Sequence, residues 1–298
     1  MSSFIDYKQC PLCGSTSIKK VMAVADHTVS GEVFDIMECA DCTARFTQHV
    51  PDEQSIGPYY KSENYISHTN TSKGLVNRLY QWVRKRTLRR KRRLVEKMTG
   101  IKKGQLLDVG SGTGAFVKEM KAHEWQVTGL EPDGDARTTA MSVNNVSLLP
   151  VGEFYSLPAG GFNAITLWHV LEHVHELNRY MERFRELLSE NGRLFIAVPN
   201  YTSADAAIFR EYWAAYDVPR HLYHFSPVSV AKLAEKHGMR VYKYLPMWYD
   251  SFYISMLSNK YRSGSIKLFS SFFTGLRSNM KATGDIKKCS SVIYVIGK

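Results

Sequence analysis

Long hydrophobic runs are missing from this chain of 298 residues. No stretch approaches the roughly 18 to 20 consecutive apolar residues that a membrane-spanning helix needs. The first thirty residues carry charged side chains where an export signal has an apolar segment. Hydrophobic residues make up 44% of the chain and charged residues 22%, which are globular values and exclude a disordered or fibrous protein. We therefore expect a cytoplasmic protein with a substantial core, built from one or two domains.

Cysteine is scarce, and four of the five cysteines stand in two Cys-X-X-Cys pairs. The pairs are Cys10 with Cys13 and Cys39 with Cys42, and Cys289 stands alone. Two such pairs separated by a short segment bring four thiolates to the corners of a tetrahedron, which is the arrangement that Zn²⁺ prefers. The spacing predicts one structural Zn²⁺, whose closed four-sulfur shell leaves no position for a substrate.

Two other interpretations of these cysteines remain open. They could form two disulfides, although a cytosolic compartment keeps thiols reduced. One pair could instead be a redox site, although a redox site uses a single pair rather than a matched two. We expect residues 1–50 to form a small module around the metal.

Acidic residues are outnumbered, with 39 Lys and Arg against 28 Asp and Glu and a net charge of +11. One segment, 78–97, carries ten of the cations and a single acid, Glu96. Basicity is therefore a local feature and not a property of a whole binding face. Apolar residues recur at helical spacing from Leu75, which predicts a basic helix that ends near Gly100. Residues 51–100 would then be a connector followed by this helix.

Residues 101–200 alternate apolar strands with amphipathic helices. That order is typical of a parallel sheet covered by helices on both faces. Two further strands follow this region, and together they predict an α/β fold with a seven-stranded, mostly parallel sheet. The predicted strands are 105–109, 126–130, 146–149, 164–169, 193–198, 240–245 and 291–296.

A segment at 249–289, between the last two predicted strands, is rich in aromatic and small residues. Its apolar stretch from Ile266 to Leu276 has cations nearby, and both a buried lid and an interfacial helix are open interpretations. Nearby rings could line an aromatic acceptor pocket or pack in a core or dimer contact. These rings are Trp213, Tyr216, Trp248, Tyr249, Phe252 and Tyr253.

A glycine-rich loop follows the first predicted strand, in the sequence Leu-Leu-Asp-Val-Gly-Ser-Gly-Thr-Gly at 106–114. Glycines between a strand and a helix let a ligand approach the backbone and the N–H groups of the helix start. Asp108 stands before the first glycine, where pyrophosphate-binding loops usually have an apolar residue, so the ligand should carry donor groups. Glu131 ends the next strand, where a carboxylate binds both hydroxyls of a ribose. No Walker lysine follows the loop, which argues against a nucleoside triphosphatase.

These motifs together resemble the class I S-adenosylmethionine-dependent methyltransferases. The resemblance covers 105–200 through LDVGSGTG, GLEPD and LWHVLEHV. The cysteine pairs and the sequence VPRHLYHFSP at 218–227 are similar to a bacterial subgroup with an N-terminal zinc ribbon, which includes sugar methyltransferases. The resemblance implies a Rossmann-like fold, S-adenosylmethionine as donor and S-adenosylhomocysteine as product. It also implies a zinc ribbon at 1–50 and a methyltransferase domain at 101–298.

The resemblance further implies roles for individual positions. The loop would lie beneath the methionine moiety, with Asp108 near its amino group and Glu131 at the ribose. Phe154 would flank the adenine and Trp168 would lie next to the sulfonium. Capping of the loop is the alternative role for the two acids, and core packing is the alternative for Phe154. The implied donor-binding residues are Asp108, Gly110, Ser111, Gly112, Gly114, Glu131, Pro132, Glu153, Phe154 and Trp168.

Methyl transfer mainly requires the alignment of two reactants, and a base is needed only if the acceptor loses a proton. His169 comes first as a base, since it ends the fourth strand, where the resemblance puts the methyl group. Loop capping competes with catalysis as the role of His173, and loop hydrogen bonding competes with it for His221 and His224. Arg220 could bind a carboxylate or phosphate of the acceptor. The candidate bases are His169, Glu172, His173, His221 and His224.

We expect a small-molecule acceptor, such as a sugar, a sugar nucleotide or a cell-surface precursor. A quinone or lipid acceptor at an anionic membrane is the nearest alternative, since the basic helix and the 249–289 segment could rest on such a surface. An RNA methyltransferase and a catalytically silent scaffold are further alternatives. Few aromatic residues interleave the cations, which argues against RNA, and the intact glycine loop argues against a silent scaffold. Nucleic acid is not an expected partner, and the oligomeric state stays open.

Overall fold

The computed structural model describes residues 3–61 and 75–298, and of residues 75–84 it describes the backbone only. Part of the predicted connector, 62–74, lies outside the described residues. Within the described ranges no helix has the length and apolarity that a bilayer crossing requires. The described residues form two compact units. The first unit comprises 3–61, 171–181 and 197–294, and the second comprises 75–170, 182–196 and 295–298.

The described strands form three sheets. The domain boundaries at residues 50 and 100 stay a prediction, because membership of a compact unit does not show which segments fold alone. The strands are β1 (Phe4–Ile5), β2 (Ile18–Ala25), β3 (Val33–Cys39), β4 (Arg45–Thr47), β5 (Val50–Pro51), β6 (Gln105–Val109), β7 (Gln126–Leu130), β8 (Phe162–Trp168), β9 (Leu188–Pro199), β10 (Tyr223–His224), β11 (Arg240–Pro246) and β12 (Ser291–Gly297).

The largest sheet has six strands in the order β11-β12-β9-β8-β6-β7 and is mostly parallel. β6 lies in the parallel interior and pairs with β7 on one side and with β8 on the other. All seven residues of β12 are buried, and so are five of the seven in β8, as expected of strands covered on both faces. This is the predicted Rossmann-like α/β architecture.

The sheet has six described strands where seven were predicted. The missing strand, 146–149, is reduced to one parallel bridge between Leu149 and Leu130. Asn145 adopts a positive φ of 53° just before it. Pro150 follows and has no N–H to donate, so the hydrogen-bond ladder cannot continue.

Several helices begin and end at residues that favour a terminus. Asp133 accepts the N–H of Ala136 at the start of one helix, and Ser226 and Ser229 form a reciprocal capping box at another. Gly100, with φ of 73°, follows the basic helix, whose predicted range is confirmed. The helices are α1 (Leu75–Thr99), α2 (Ala115–Lys121), α3 (Gly134–Asn144), α4 (Leu177–Leu187), α5 (Ala204–Phe209), α6 (Pro227–Lys236), α7 (Asp250–Ser263) and α8 (Leu268–Gly284).

The first unit is built around a four-stranded sheet in the order β10-β4-β3-β2. β2 and β3 form an antiparallel hairpin, and Tyr223 of β10 pairs with Phe46 of β4. Thr47 donates its hydroxyl to the carbonyl oxygen of His221 at 2.7 Å. The sheet that carries the second cysteine pair therefore also positions the segment around His221.

The 249–289 segment folds as α7 and α8, which pack against each other. A buried lid is not what the structure has, because the apolar side chains of α8 face outward. Phe269 is 85% exposed and Phe273 is 63% exposed. Ser271 and Ser278, by contrast, are buried in the same helix.

Candidate functional site

The four paired cysteines lie together in the first unit. The sulfurs of Cys10 and Cys42 are 3.5 Å apart, and those of Cys13 and Cys39 are 3.6 Å apart. All four sulfurs lie within 4.8 Å of one another. Tetrahedral zinc with Zn–S bonds of about 2.3 Å needs sulfurs about 3.8 Å apart, whereas a disulfide needs about 2.05 Å. The spacing suits a tetrahedral metal, and all four cysteines are free in this structure.

The electrostatics of the cysteine cluster point the same way. The pKa of the Cys10 thiol is lowered to about 5, chiefly because the thiol of Cys42 can donate a hydrogen bond to its thiolate. The thiolate is the form that binds a metal. Cys289, the fifth cysteine, is buried away from this set, and burial raises its pKa to about 11.

The glycine loop of the second unit is held by the strand beside it. The amides of Gly110 and Ser111 both donate to the carbonyl oxygen of Leu130, at 2.8 and 2.9 Å. Gly110, Gly112 and Gly114 all have positive φ, between 52° and 73°, which only glycine adopts without strain. The loop therefore turns sharply where β6 ends, and Gly114 caps the start of α2.

Glu131 follows β7 and closes against the loop. Its two carboxylate oxygens accept the N–H of Gly112 at 2.7 Å and the N–H of Asp133 at 3.0 Å. The side chain is largely buried, and this burial raises its pKa. A buried carboxylate that keeps further lone pairs can bind the hydroxyl groups of a ligand.

Asp108 is the second buried acid of this region. The hydroxyl of Thr166, on the neighbouring β8, donates to its carboxylate at 2.6 Å. Burial raises the pKa of Asp108 to about 6, while the hydrogen bond from Thr166 and the charge of Lys91 act in the opposite direction. Near neutral pH the group is therefore ionised but close to its titration range.

Trp168 and His169 lie at the end of β8. The ring of Trp168 packs edge-on against Phe116, with centroids 5.7 Å apart, and the ammonium nitrogen of Lys91 lies 4.3 Å above its centre. His169 has a positive φ of 59°, where the chain turns out of the strand. The basic helix α1 thus brings one of its cations to the end of the sheet.

The segment predicted to flank the adenine forms a short turn. Phe154 is fully buried, and its ring packs against Tyr155 and Phe184. No face of the ring is open to a ligand, so the structure favours core packing, the alternative interpretation. Glu153 is exposed and accepts the hydroxyl of Ser156, and Pro132 is exposed beside Glu131.

A cluster of polar side chains forms in the first unit from Glu172 and His221, which are buried, and His173 and Tyr60, which are half-buried. The rings of His173 and His221 meet at 4.6 Å, and one ligand atom from each and from Glu172 lie within 4.8 Å of one another. The hydroxyl oxygen of Tyr60 lies 3.0 Å from Nδ1 of His173. Two imidazoles and a carboxylate thus lie close together, with a phenol beside one imidazole, a combination able to hold or move a proton.

A backbone carbonyl lies at hydrogen-bond distance from Nδ1 of each of the two clustered histidines. Nδ1 of His221 lies 2.9 Å from the carbonyl oxygen of Ala215, and Nδ1 of His173 lies 3.0 Å from that of Arg220. A carbonyl only accepts, so Nδ1 of His221 carries the proton and its Nε2 is the basic nitrogen. Nδ1 of His173 is shared between the carbonyl of Arg220 and the hydroxyl of Tyr60. Burial, with the neighbouring His221, lowers the pKa of His173 to about 4.

Arg220 does not bind an acceptor. Its guanidinium is completely buried and makes ion pairs with Asp26 at 2.8 Å and Asp217 at 2.7 Å. It also donates to the carbonyl oxygen of Tyr59 at 2.8 Å. The predicted role in binding a carboxylate or phosphate of the acceptor is therefore wrong, because the guanidinium N–H groups donate to the protein's own carboxylates and carbonyl. Arg220 instead ties together the segments on which the histidine cluster rests.

His224 makes structural contacts and is not part of the histidine cluster. It is buried in β10, its Nε2 lies 3.1 Å from the hydroxyl of Thr47, and its ring meets that of Tyr216 edge-on. Burial lowers its pKa well below the usual value. These contacts match the structural interpretation of this histidine.

The predicted aromatic pocket divides into two groups. Trp213 and Tyr216 are fully buried, and Asp205 accepts the indole N–H of Trp213 at 2.9 Å. They belong to a core cluster, as the packing alternative predicted. Tyr249 and Tyr253 are exposed to 43% and 55%.

Sequence reasoning missed Tyr60 and Lys91. Tyr60 stood only in a string of connector aromatics, 113 positions before its histidine partner. Lys91 stood among ten cations of one segment, with no local signal to distinguish it. Only the fold brings each of them to a candidate site.

A family model described as a methyltransferase domain matches residues 81–244. Among curated relatives, an uncharacterized methyltransferase of Alkaliphilus oremlandii is 28% identical over 110 residues, covering 35% of this chain and 50% of that protein. The mitochondrial ubiquinone biosynthesis O-methyltransferase of Homo sapiens is 25% identical over 165 residues, covering 50% of this chain and 44% of that protein. The match thus spans about half the length of each curated relative.

Solved structures with a similar chain path have low identity. A SAM-dependent methyltransferase from Archaeoglobus fulgidus aligns at 17% identity with a TM-score of 0.47, over 72% of this chain and 93% of that one. Phosphoethanolamine N-methyltransferase 2 of Haemonchus contortus, solved with S-adenosyl-L-methionine, aligns at 16% with a TM-score of 0.48, over 70% and 52%. Since the family model spans more than half of the chain, the protein belongs to the methyltransferase-domain family.

Proposed function

We propose that this protein is a cytoplasmic S-adenosylmethionine-dependent methyltransferase that methylates a small molecule, namely a sugar, a sugar nucleotide or a related cell-surface precursor. The observation that carries the donor assignment is the buried carboxylate of Glu131, which accepts the N–H of Gly112 from the glycine loop. An acid at the end of β7, against a loop that follows β6, is where a ribose would need its hydroxyl partners.

The residues of this region fit such a donor. A Cβ atom added to Gly112 would meet no atom within 4 Å, so this edge of the loop faces open space. The indole N–H of Trp168 is buried and has no hydrogen-bond partner among the described residues. A ligand with hydroxyl groups, an ammonium group and an acceptor would complete these contacts.

When bound, S-adenosylmethionine supplies an electrophilic methyl group. The chain's own part is to hold the reactants in line and to exclude water. We assign the ammonium group to Asp108, because charge-assisted hydrogen bonds are short and strong. Lys91 supports this role, since its charge lowers the pKa of Asp108 and so favours the carboxylate.

For the acceptor's proton we propose His173 and His221, with His169 as the third candidate base. Nε2 of either clustered histidine could take the proton, because each Nδ1 lies at hydrogen-bond distance from a backbone carbonyl. The pKa of His173, near 4, leaves this imidazole neutral at pH 7 but makes it a weak base. Unchanged turnover in a His221→Ala enzyme would remove His221 from this proposal.

We further propose one Zn²⁺ at Cys10, Cys13, Cys39 and Cys42. The sulfur spacing of 3.5 to 3.6 Å supports it. A metal with four protein ligands has no open position, so its role would be to stabilise the fold.

A quinone or lipid acceptor is the second candidate. One curated relative carries the name ubiquinone biosynthesis O-methyltransferase, at 25% identity. The exposed aromatic residues of α8 also favour contact with apolar molecules.

The donor assignment is tested by calorimetric titration with S-adenosylmethionine and S-adenosylhomocysteine. We expect Glu131→Gln to weaken binding about 10- to 100-fold, because hydrogen bonds to a charged group contribute about 1.5–3 kcal/mol. Asp135→Asn is the matched control, since this carboxylate is exposed in the first turn of α3. Absence of binding to the unaltered protein would contradict the proposal.

The acceptor is tested by transfer of radiolabelled methyl into a fractionated cell extract. Label in the soluble small-molecule pool supports a sugar-type acceptor. Label in the lipid fraction supports the quinone or lipid alternative, and label in RNA contradicts both.

A further inference from the structure

Helix α8 has the reverse of the usual amphipathic pattern. Its buried positions are Ser271, Gly275, Ser278 and Ala282, which are all small. In a soluble protein, the apolar stripe of a surface helix normally faces the core and the polar residues face water. Here the large apolar side chains lie on the other face.

The outward stripe is aromatic and continuous. Its members follow one another at helical spacing of three and four residues, so they share one face. The exposed fractions are 85% for Phe269, 54% for Phe272, 63% for Phe273, 38% for Leu276 and 65% for Met280. Single exposed apolar residues are common, whereas a contiguous exposed stripe marks an interaction surface.

The buried face fixes this orientation. A Cβ atom on Gly275 would lie 2.7 Å from the ring of Phe252, so α7 and α8 are in close contact there. Ser278 donates to Asp205 at 2.6 Å, and Asn259 donates to Ser271 at 2.9 Å. The helix cannot rotate its aromatic stripe inward without breaking these contacts.

Cations surround the stripe. The segment 260–288 contains seven Lys and Arg and one acid, Asp285. Arg277 and Lys281 are exposed within α8, one and five positions after Leu276. An aromatic face beside basic residues is the pattern of helices that lie in the interface of a membrane with anionic lipids.

We propose that α8 docks on an anionic lipid surface, with the Phe269 and Phe273 side chains at the boundary between the lipid headgroups and the acyl chains. Charge favours this occupant over a second copy of the chain. In a two-fold dimer the same patch lies on both subunits, so the cations of each copy would oppose those of the other. An anionic lipid surface attracts them instead. The proposal does not depend on the reaction that the protein catalyses.

Vesicle flotation tests the proposal with the full-length protein. We expect binding to vesicles of phosphatidylcholine with phosphatidylglycerol at low salt, and at least tenfold weaker binding to pure phosphatidylcholine. Phe269→Ser with Phe273→Ser should reduce binding at least tenfold without unfolding the protein, since both rings are exposed. The matched control is Val33→Ser with Met141→Ser, at positions that are 65% and 50% exposed elsewhere.

The charge contribution is tested separately. Arg277→Gln with Lys281→Gln should weaken vesicle binding and flatten its dependence on salt, because screening acts on the remaining charge alone. Lys118 and Lys121 are two exposed cations of α2. Lys118→Gln with Lys121→Gln should leave vesicle binding and its dependence on salt unchanged.

Three results would overturn the proposal. The first is that the unaltered protein does not bind anionic vesicles. The second is that the paired phenylalanine variant binds as well as the unaltered protein. The third is that the α8 variant and its control lose vesicle binding equally. Sedimentation velocity supplies a further check. A dimer that the phenylalanine variant converts to a monomer would show that this face is an interface between copies, and it would also overturn the proposal.

Discussion

The glycine loop and the histidine cluster are assembled in opposite ways. The loop, with Asp108 and Glu131, comes from one stretch of about 25 residues, and its backbone hydrogen bonds tie it to the next strand. The cluster joins Tyr60 to His173 and His221, across 113 positions in the first case. A locally built site depends on local hydrogen bonds, whereas a site built from distant segments depends on whatever holds those segments together.

Two features hold the distant segments of the first unit. One is the set of four cysteines, whose sheet contacts the His221 carbonyl through Thr47. The other is Arg220, which ion-pairs with Asp26 and donates to the carbonyl next to Tyr60. Neither is part of the loop region. Loss of either should therefore damage the cluster more than the loop.

The largest effect should follow from loss of the proposed metal site. Zinc binding by four cysteines contributes on the order of 10 kcal/mol to folding. We expect Cys39→Ser to lose the zinc, to lower the melting temperature and to abolish turnover, while donor binding persists. Metal analysis measures the zinc content, calorimetry measures the melting temperature, and titration with S-adenosylhomocysteine measures binding at the donor site. If Cys39→Ser lost donor binding as completely as turnover, the loop would depend on the cysteines as much as the cluster does. Cys289→Ser is the control variant.

Arg220→Met should have the next largest effect. The change leaves Asp26 buried without its cation, and breaking a buried pair costs about 3–5 kcal/mol. Urea denaturation measures the free energy of unfolding. Arg179→Met is the control, because its ion pair with Glu176 is exposed and such pairs contribute about 0–1 kcal/mol. A loss below 1 kcal/mol for Arg220→Met would show that the ion pair does not hold the cluster.

The smallest effect is a pH dependence at the loop. The pKa of Asp108 is raised to about 6, so protonation should weaken donor affinity about tenfold from pH 7 to pH 5. The folding stability of the ligand-free protein should change with pH in the opposite direction. A raised folded pKa gives stability that is fully present below the unfolded value of about 3.9 and is lost as the pH rises through 6.

Asp108→Asn separates these two effects. Its donor affinity should fall less steeply with decreasing pH, and the remaining slope belongs to Glu131, whose pKa burial also raises. Asp135→Asn should keep the full slope. Titrations at pH 5, 6 and 7 suffice, and an unaltered slope in Asp108→Asn would show that this carboxylate does not meet the ligand.

The same contrast explains what the sequence could predict. The loop, its two acids and the cysteine pairs were found because strand, glycines and spacing are contiguous signals. The burial of Arg220 and the partner of Tyr60 are tertiary facts that no local pattern contains. The two roles of Phe154 could not be separated from the sequence, because an aromatic residue after a strand suits both a ligand and a core. The missing seventh strand depended on Asn145 and Pro150, whose backbone preferences outweighed an apolar run.

The internal hydrogen bonds of the loop also bear on which nucleotides can compete for it. The amides of Gly110, Ser111, Gly112 and Gly114 all donate to atoms of the protein itself. A triphosphate or a dinucleotide needs such amides for its phosphate oxygens. We therefore expect the protein to bind ATP and pyridine nucleotides weakly, although these share an adenosine with the proposed donor.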